Sequence, residues 1–357
     1  MAQWPVPKQE KFLVAIFLIA HYALLTCANA LFSILFGRQA KPLGCCRLHL
    51  HRWQISAYSP DIAGRVTLGR IACCQGSLIS LFSMKLNAAC FIRVTAMSDC
   101  PMIAMLRPRS GRAQWMVSER YDLQPWVPVE EFADGYGNLC QRMVVPEGQM
   151  QITVETTMHV EDHVAVAQDA PQTPITDLPA SVLPYLLQSR YCPSDKMQDQ
   201  ALTVVGRTPP GYAQVEKIRA WIQDNLEYRY GVSSASTDAL DTLAHRAGVC
   251  RDFAHVGIAL CRSLQIPARM VAGYLHGLQP MDLHAWFEAF VGGRWYTFDA
   301  TQTEPRGGRI VLAYGHDATD VAFISDYGMQ PLRLDEMQVR VTALDAGQSD
   351  QTGVHQA

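Results

Sequence analysis

The chain has 357 residues, with 30 Lys+Arg against 33 Asp+Glu and a formal net charge of −3. Hydrophobic residues make up 49% and charged residues 18%, a globular composition that excludes disordered, collagen-like and coiled-coil chains. Near-neutral charge with no basic stripe and no acidic tail gives no footing for nucleic acid or for a strongly charged partner.

Residues 1–83 differ from the rest. Phe12 to Phe36 is an apolar run long enough to span a bilayer. Basic residues flank it on both sides, so charge barely selects an orientation, and no A-x-A cleavage site follows. Three readings compete: a start misassigned ahead of Met84, a membrane anchor, and a soluble extension. The composition shift almost at Met84 favours the first, and membrane association is expected only if residues 1–83 are real. The eleven cysteines are too sparse for a disulfide scaffold, and the adjacent pairs Cys45-Cys46 and Cys73-Cys74 do not resemble a secreted framework. The compartment reads as reducing and cytoplasmic, with anchoring through Phe12–Phe36 as the alternative. Cys45-Cys46-x-x-His49-x-His51 fits no zinc module, and no calcium loop of the EF type is present. No metal or organic cofactor is expected.

Residues 84–166 read as a small β-sandwich-like domain. Short strands alternate with turn residues, most clearly in Gln151 to Val160, with Asp134-Gly135 and Tyr136-Gly137-Asn138 as tight turns. Trp115, Trp126 and Phe132 are expected in its core. Residues 167–182, rich in Pro and Thr, read as a linker.

Residues 183–345 carry helical patterns and then strands. Ser194 is expected to cap a helix running to about Val205. Tyr212 to Leu226 has apolar residues at 215, 218, 221, 222 and 226, which is helical spacing. Thr237 is expected to cap Asp238 to His245, with Gly248 closing that helix. Strands are expected at Ala268–Leu275, Leu283–Val291 and Arg294–Ala300. The tail, 346–357, is polar and reads as disordered.

Three segments in this part carry chemistry. Gly248-Val-Cys250 breaks one helix and opens another, whose apolar positions 253, 256, 260 and 264 define a buried face. A cysteine at a helix N-terminus sits where the dipole and free N–H groups favour thiolate and where an amide can meet a developing oxyanion. In Leu283-His284-Ala-Trp286-Phe-Glu288, alternation places His284, Trp286 and Glu288 on one face. Gly292-Gly293 is a hairpin turn signal leading into Arg294-Trp-Tyr-Thr-Phe-Asp299. A two-residue turn pairs Val291 with Arg294 and sets Trp286 opposite Asp299, so His284 is the diagonal neighbour of Asp299 on the same face. Cys250 as nucleophile, His284 as base and then acid, and Asp299 as orienter follow the logic of a catalytic triad. His255, five residues after Cys250, lies about 140° round the helix and is expected neither as the base nor as a metal partner. The Cys250 amide is one expected oxyanion donor, with Trp221 or Tyr228 as candidates for a second. Trp286 is expected to line the cleft near His284.

These residues resemble the bacterial transglutaminase-like superfamily, whose members are read as cysteine proteases. The resemblance rests on Gly248-Val-Cys-Arg-Asp-Phe-Ala-His255, Ile266-Pro-Ala-Arg269 with Gly273-Tyr274, His284-Ala-Trp-Phe-Glu288 and Trp295-Tyr-Thr-Phe-Asp299, and spans roughly residues 209–328. The region from Met84 is similar to the β-rich N-terminal domain that accompanies this group. Ala-Thr-Gln follows Asp299 where the family commonly has Pro-Thr-Asn, and Gly315-His316-Asp317 stands where Gly-Arg-Asp is common. The resemblance implies an α+β, papain-like core, with the nucleophile helix packed on an antiparallel sheet and Cys250, His284 and Asp299 as its triad. It implies a peptide or protein substrate attacked at a peptide or glutamine-type amide bond through a thioester, with hydrolysis favoured over crosslinking. A non-enzymatic binding module on the same scaffold is the alternative.

Overall fold

A computed structural model of the chain describes residues 84–111 and 113–344. The apolar run Phe12–Phe36, the Cys45–His51 cluster and the polar tail 346–357 lie outside the described residues. Among the described residues, no helix is long and apolar enough to cross a membrane, and the described cysteines form no disulfide.

The N-terminal part folds as two facing sheets. β1 (Met84–Ala96) and β6 (Gly148–Val160) pair antiparallel along their whole length. β1 buries every second side chain, the period-2 pattern that the pleat imposes when one face meets a core. β3 (Gln114–Gln124) extends this sheet beyond β6. The second sheet holds β2 (Cys100–Ala104), β5 (Leu139–Val145) and β4 (Glu130–Ala133). Leu86, Ile92, Met150 and Ile152 from one sheet share a core with Met102, Met143 and Val145 from the other. The β-sandwich-like reading therefore holds for the architecture.

Two aromatic assignments are corrected. Trp115 and Trp126 are exposed, at 59% and 78%, and Phe132 is only half-buried. Trp115 lies on β3, the sheet's outer strand, and Trp126 follows the end of that strand, where neither meets the facing sheet.

The connectivity also differs from the expected one. β13 (Ile324–Asp326) pairs with β2, and β14 (Arg333–Ala343) pairs with β1 over ten residue pairs. Residues 324–343 were expected within the catalytic segment 183–345, yet they complete both N-terminal sheets. β14 shields one edge of β1, which would otherwise leave a row of unpaired backbone groups.

Between these strands sits the helical core. α1 (Gln198–Val205), α2 (Tyr212–Asn225), α3 (Ala239–His245) and α4 (Cys250–Ser263) come first. A four-stranded antiparallel sheet follows, in the order β11 (Arg294–Phe298), β10 (His284–Val291), β9 (Ala268–Leu275) and β12 (Arg309–Gly315). The α+β, papain-like reading holds: α4 packs on β10 and β9, and the other helices pack around α4. Every residue of α4 from Asp252 to Arg262 is buried. The expected single apolar face understates this, because the helix is enclosed on all sides. Buried Arg262 is tolerable because it donates to the carbonyls of Ala268, Leu187 and His316 and to Ser189 Oγ.

The expected caps shift by a few residues. Ser194 lies in a separate single turn, and Met197 precedes α1. Asp238 caps α3 by accepting from Asp241 N at 2.9 Å, while Thr237 instead accepts from Ser234 N. Arg246, in the left-handed region at φ 51°, ends α3 in place of Gly248. The segment 167–182 is docked: Ala170 O accepts from Tyr212 N, and Pro171 bridges to Gly211.

Candidate active site

The position of Cys250 is built by a short parallel pair. β7 (Glu227–Tyr228) runs beside β8 (Ala247–Gly248), with Tyr228 opposite Gly248. This brings the Tyr228 ring to the chain just ahead of Cys250. Gly248 is needed for close approach: a Cβ there would lie 2.7 Å from Asp252 Cβ. That proximity lets the Asp252 carboxylate fold back and accept the Val249 amide at 2.9 Å, while Arg251 braces it. Asp252 thus holds the first turn of α4, and its negative charge suits the positive helix end. Cys250 opens the helix half-buried, whereas the other described cysteines are buried.

The histidine and the acid come from the β10–β11 hairpin. Gly292 and Gly293 both have positive φ, at 56° and 78°, as a two-residue turn of this hand requires. Val291 pairs with Arg294, and the ladder runs in that register to Phe287 and Phe298. His284 and Asp299 lie just beyond it. His284 Nε2 donates to Asp299 Oδ2 at 2.7 Å, with both side chains almost fully buried.

Asp299 receives three further donors: Arg309 Nη2 on Oδ2 at 2.9 Å, and Thr301 N and Oγ1 on Oδ1 at 3.0 and 2.7 Å. Burial alone would raise its pKa. The His284 and Arg309 charges and these hydrogen bonds outweigh burial and hold the carboxyl well below the usual carboxylate range. For His284, burial works against the charged form. The Asp299 charge and hydrogen bond, together with Cys250, overcome it and lift the imidazole from 6.5 to about 9. The ring is therefore an imidazolium at neutral pH. Its second nitrogen, Nδ1, is buried without a hydrogen-bond partner. Cys250 is close enough to raise the basicity of the ring, yet no hydrogen bond to Nδ1 is formed. Contacts of this kind are often long before a substrate is bound.

A cavity of about 130 Å³ opens beside His284 and is lined by Tyr228, Tyr230, Leu278, Pro280 and Gln302. The Tyr228 hydroxyl interacts with both the Cys250 thiol and its backbone amide. Burial first, then Cys250 and Tyr230, push its pKa up, so it remains a donor. Trp221 is half-buried against the helical core. Trp286 is buried on the strand of His284, with ring centroids 6.0 Å apart. It does not line the 130 Å³ cleft.

His255 is structural. Its ring stacks on Tyr191 at 4.9 Å, its Nε2 accepts from Ala318 N, and burial pushes its pKa down to about 4. Nearby, Asp317 accepts from Tyr191 N, and His316 meets Tyr136 and Asp320. No group of metal-ligating side chains is assembled among the described residues. Arg309 and Thr301 escaped sequence reasoning. Thr301 had a signal, since Asp-x-Thr is a spacing at which the carboxylate accepts both groups. Arg309 had none, being ten residues beyond Asp299 on another strand.

Residues 198–300 match the transglutaminase-like superfamily, and residues 95–161 match the bacterial transglutaminase-like N-terminal region. A crystal structure described as a "putative cysteine protease" from Cytophaga hutchinsonii is 36% identical, covering 74% of this chain and 92% of that one with a TM-score of 0.70. The chain belongs to the transglutaminase-like superfamily. Other relatives of this superfamily member include an uncharacterized protein of Mycobacterium leprae, 27% identical over 234 residues, which are 61% of this chain and 83% of the relative. An uncharacterized protein of Mycobacterium bovis is 26% identical over 249 residues, 60% of this chain and 77% of the relative. The two family matches fall on the two lobes: the N-terminal region on the β-sandwich, and the core on α1 through β11.

Proposed function

We propose that the protein is a transglutaminase-like cysteine enzyme that cleaves a peptide or glutamine-type amide bond, with Cys250 as nucleophile, His284 as base and acid, and Asp299 as orienter. The observation that carries this reading is a half-buried cysteine at a helix N-terminus beside an imidazole fixed by a buried carboxylate, the other ring nitrogen being left open. With the proton of the pair already held on His284, Sγ of Cys250 attacks the carbonyl carbon. In this reading the Cys250 amide and the Tyr228 hydroxyl serve the oxyanion. His284 then protonates the leaving amine as the C–N bond breaks, leaving a thioester. Water, deprotonated by the now neutral His284, attacks the thioester and releases the acid and the thiol. An amine in place of water would give transamidation. Hydrolysis is the favoured outcome, in keeping with the description of the Cytophaga hutchinsonii relative as a protease.

The test is a peptide library incubated in ¹⁸O-labelled water, with and without a cadaverine probe, and read by mass spectrometry. New labelled C-termini, or labelled glutamate in place of glutamine, that vanish in Cys250→Ala support the proposal. Cadaverine adducts without hydrolysed products would reverse the preference for hydrolysis. Absence of any Cys250-dependent product would contradict the enzyme reading and favour a binding scaffold.

A further inference from the structure

A second cavity lies elsewhere. A void of about 350 Å³ is lined by Trp286, Glu288, Trp295, Arg309 and Tyr314 of the sheet, together with the rim residue Arg294. Cys250, His284 and Asp299 do not line it. Its volume is within the range of small-molecule sites, and its aromatic walls suit an apolar body.

Two of its lining residues carry unpartnered donors. The indole of Trp286 and the guanidinium of Arg309 stack at 4.8 Å. Trp286 Nε1 and Arg309 Nη1 are both buried donors with no acceptor. Trp286 is 2% exposed and the Arg309 side chain 9%. Neither atom touches solvent in this conformation, so seating a ligand on them requires the guanidinium to move. Arg309 stays anchored meanwhile through Nε to Arg306 O and Nη2 to Asp299. Glu288 accepts from Arg269 on Oε2 at 2.7 and 2.8 Å and from Thr297 Oγ1 on Oε1 at 3.4 Å, and it reaches neither of these donors. Arg294 is exposed at the rim, stacks on Tyr296 at 4.8 Å and forms no ion pair among the described residues.

Two stacked buried donors lacking an acceptor, with a free cation at the mouth, call for an anionic oxygen ligand. Glu161 and Glu288 also line the wall, which disfavours a dianion such as phosphate. We propose that this cavity binds a small monocarboxylate with an aromatic or apolar body, its carboxylate seated on Trp286 Nε1 and Arg309 Nη1.

Isothermal titration of the full chain with phenylacetate, phenylacetamide and inorganic phosphate tests this. Phenylacetate should bind with a Kd of about 1 mM or tighter. Phenylacetamide should bind at least about tenfold more weakly, because it lacks the charge. Trp286→Phe keeps a ring but removes the donor and should weaken phenylacetate about tenfold. Should that variant fail to fold, Arg294→Glu alters only an exposed rim cation and should weaken binding several-fold. Lack of saturable phenylacetate binding, equal binding of the amide, displacement by phosphate at similar concentration, or indifference of phenylacetate to the folded variants would each overturn the proposal.

Discussion

Asp299 is the residue on which the site's electrostatics turn. One of its oxygens takes both the His284 ring and the Arg309 guanidinium, and the other takes Thr301. Asp299→Asn keeps the shape but removes the charge that raises the imidazole. The His284 pKa should then fall from about 9, and Cys250 alkylation near neutral pH should slow by about 10²-fold or more, the scale of a misplaced general base. Stability should follow the same pair. His284 is raised from 6.5 to about 9 on folding, so its contribution is complete below about pH 6.5 and is lost as pH rises through about 9. Thermal melts across that window should show a decline in the wild type that is absent in His284→Gln. A flat wild-type profile would contradict the raised pKa.

At the scale of elements, the N-terminus of α4 depends on Asp252. It is fully buried, accepts the Val249 amide and is braced by Arg251. Asp252→Ala should cost about 1–2 kcal/mol, the typical value of a lost cap, measurable by chemical denaturation, and should slow Cys250 alkylation because the thiol loses its fixed direction. Unchanged stability would mean that the cap is not structural. The hairpin shows what a sequence can convey at this scale. Gly292-Gly293 fixes the register through local geometry, so the meeting of His284 with Asp299 follows from counting residues. The same counting could not reach Arg309, because β12 joins the sheet beside β9, on the side away from β11. Nor could it place Trp115, since alternation identifies two faces of a strand and not which one meets the core.

At the scale of the whole molecule, the chain returns to its beginning. β14 closes the sheet started by β1, some 240 residues earlier in sequence, and no local signal announces that pairing. This is why residues 324–343 read as part of the core when they belong with the sandwich. A chain ending at Gln330 should expose β1 as an open edge, and such an edge invites intermolecular pairing. Size-exclusion chromatography should show aggregation of that chain beside a soluble full-length protein. A soluble, monomeric truncation would show that β14 is dispensable. The two lobes share contacts as well, since Tyr274, Ile310 and Leu312 of the β9–β12 pair join the sandwich core. Loss of β14 is therefore expected to weaken the site indirectly.

The proposed chemistry requires Cys250 and His284 to act as one activated pair. Intact-protein mass spectrometry after brief iodoacetamide treatment near neutral pH tests it most directly, comparing wild type with Cys250→Ala and His284→Ala. One rapid alkylation should disappear in Cys250→Ala and slow about tenfold or more in His284→Ala. Labelling of equal rate in all three proteins would contradict it.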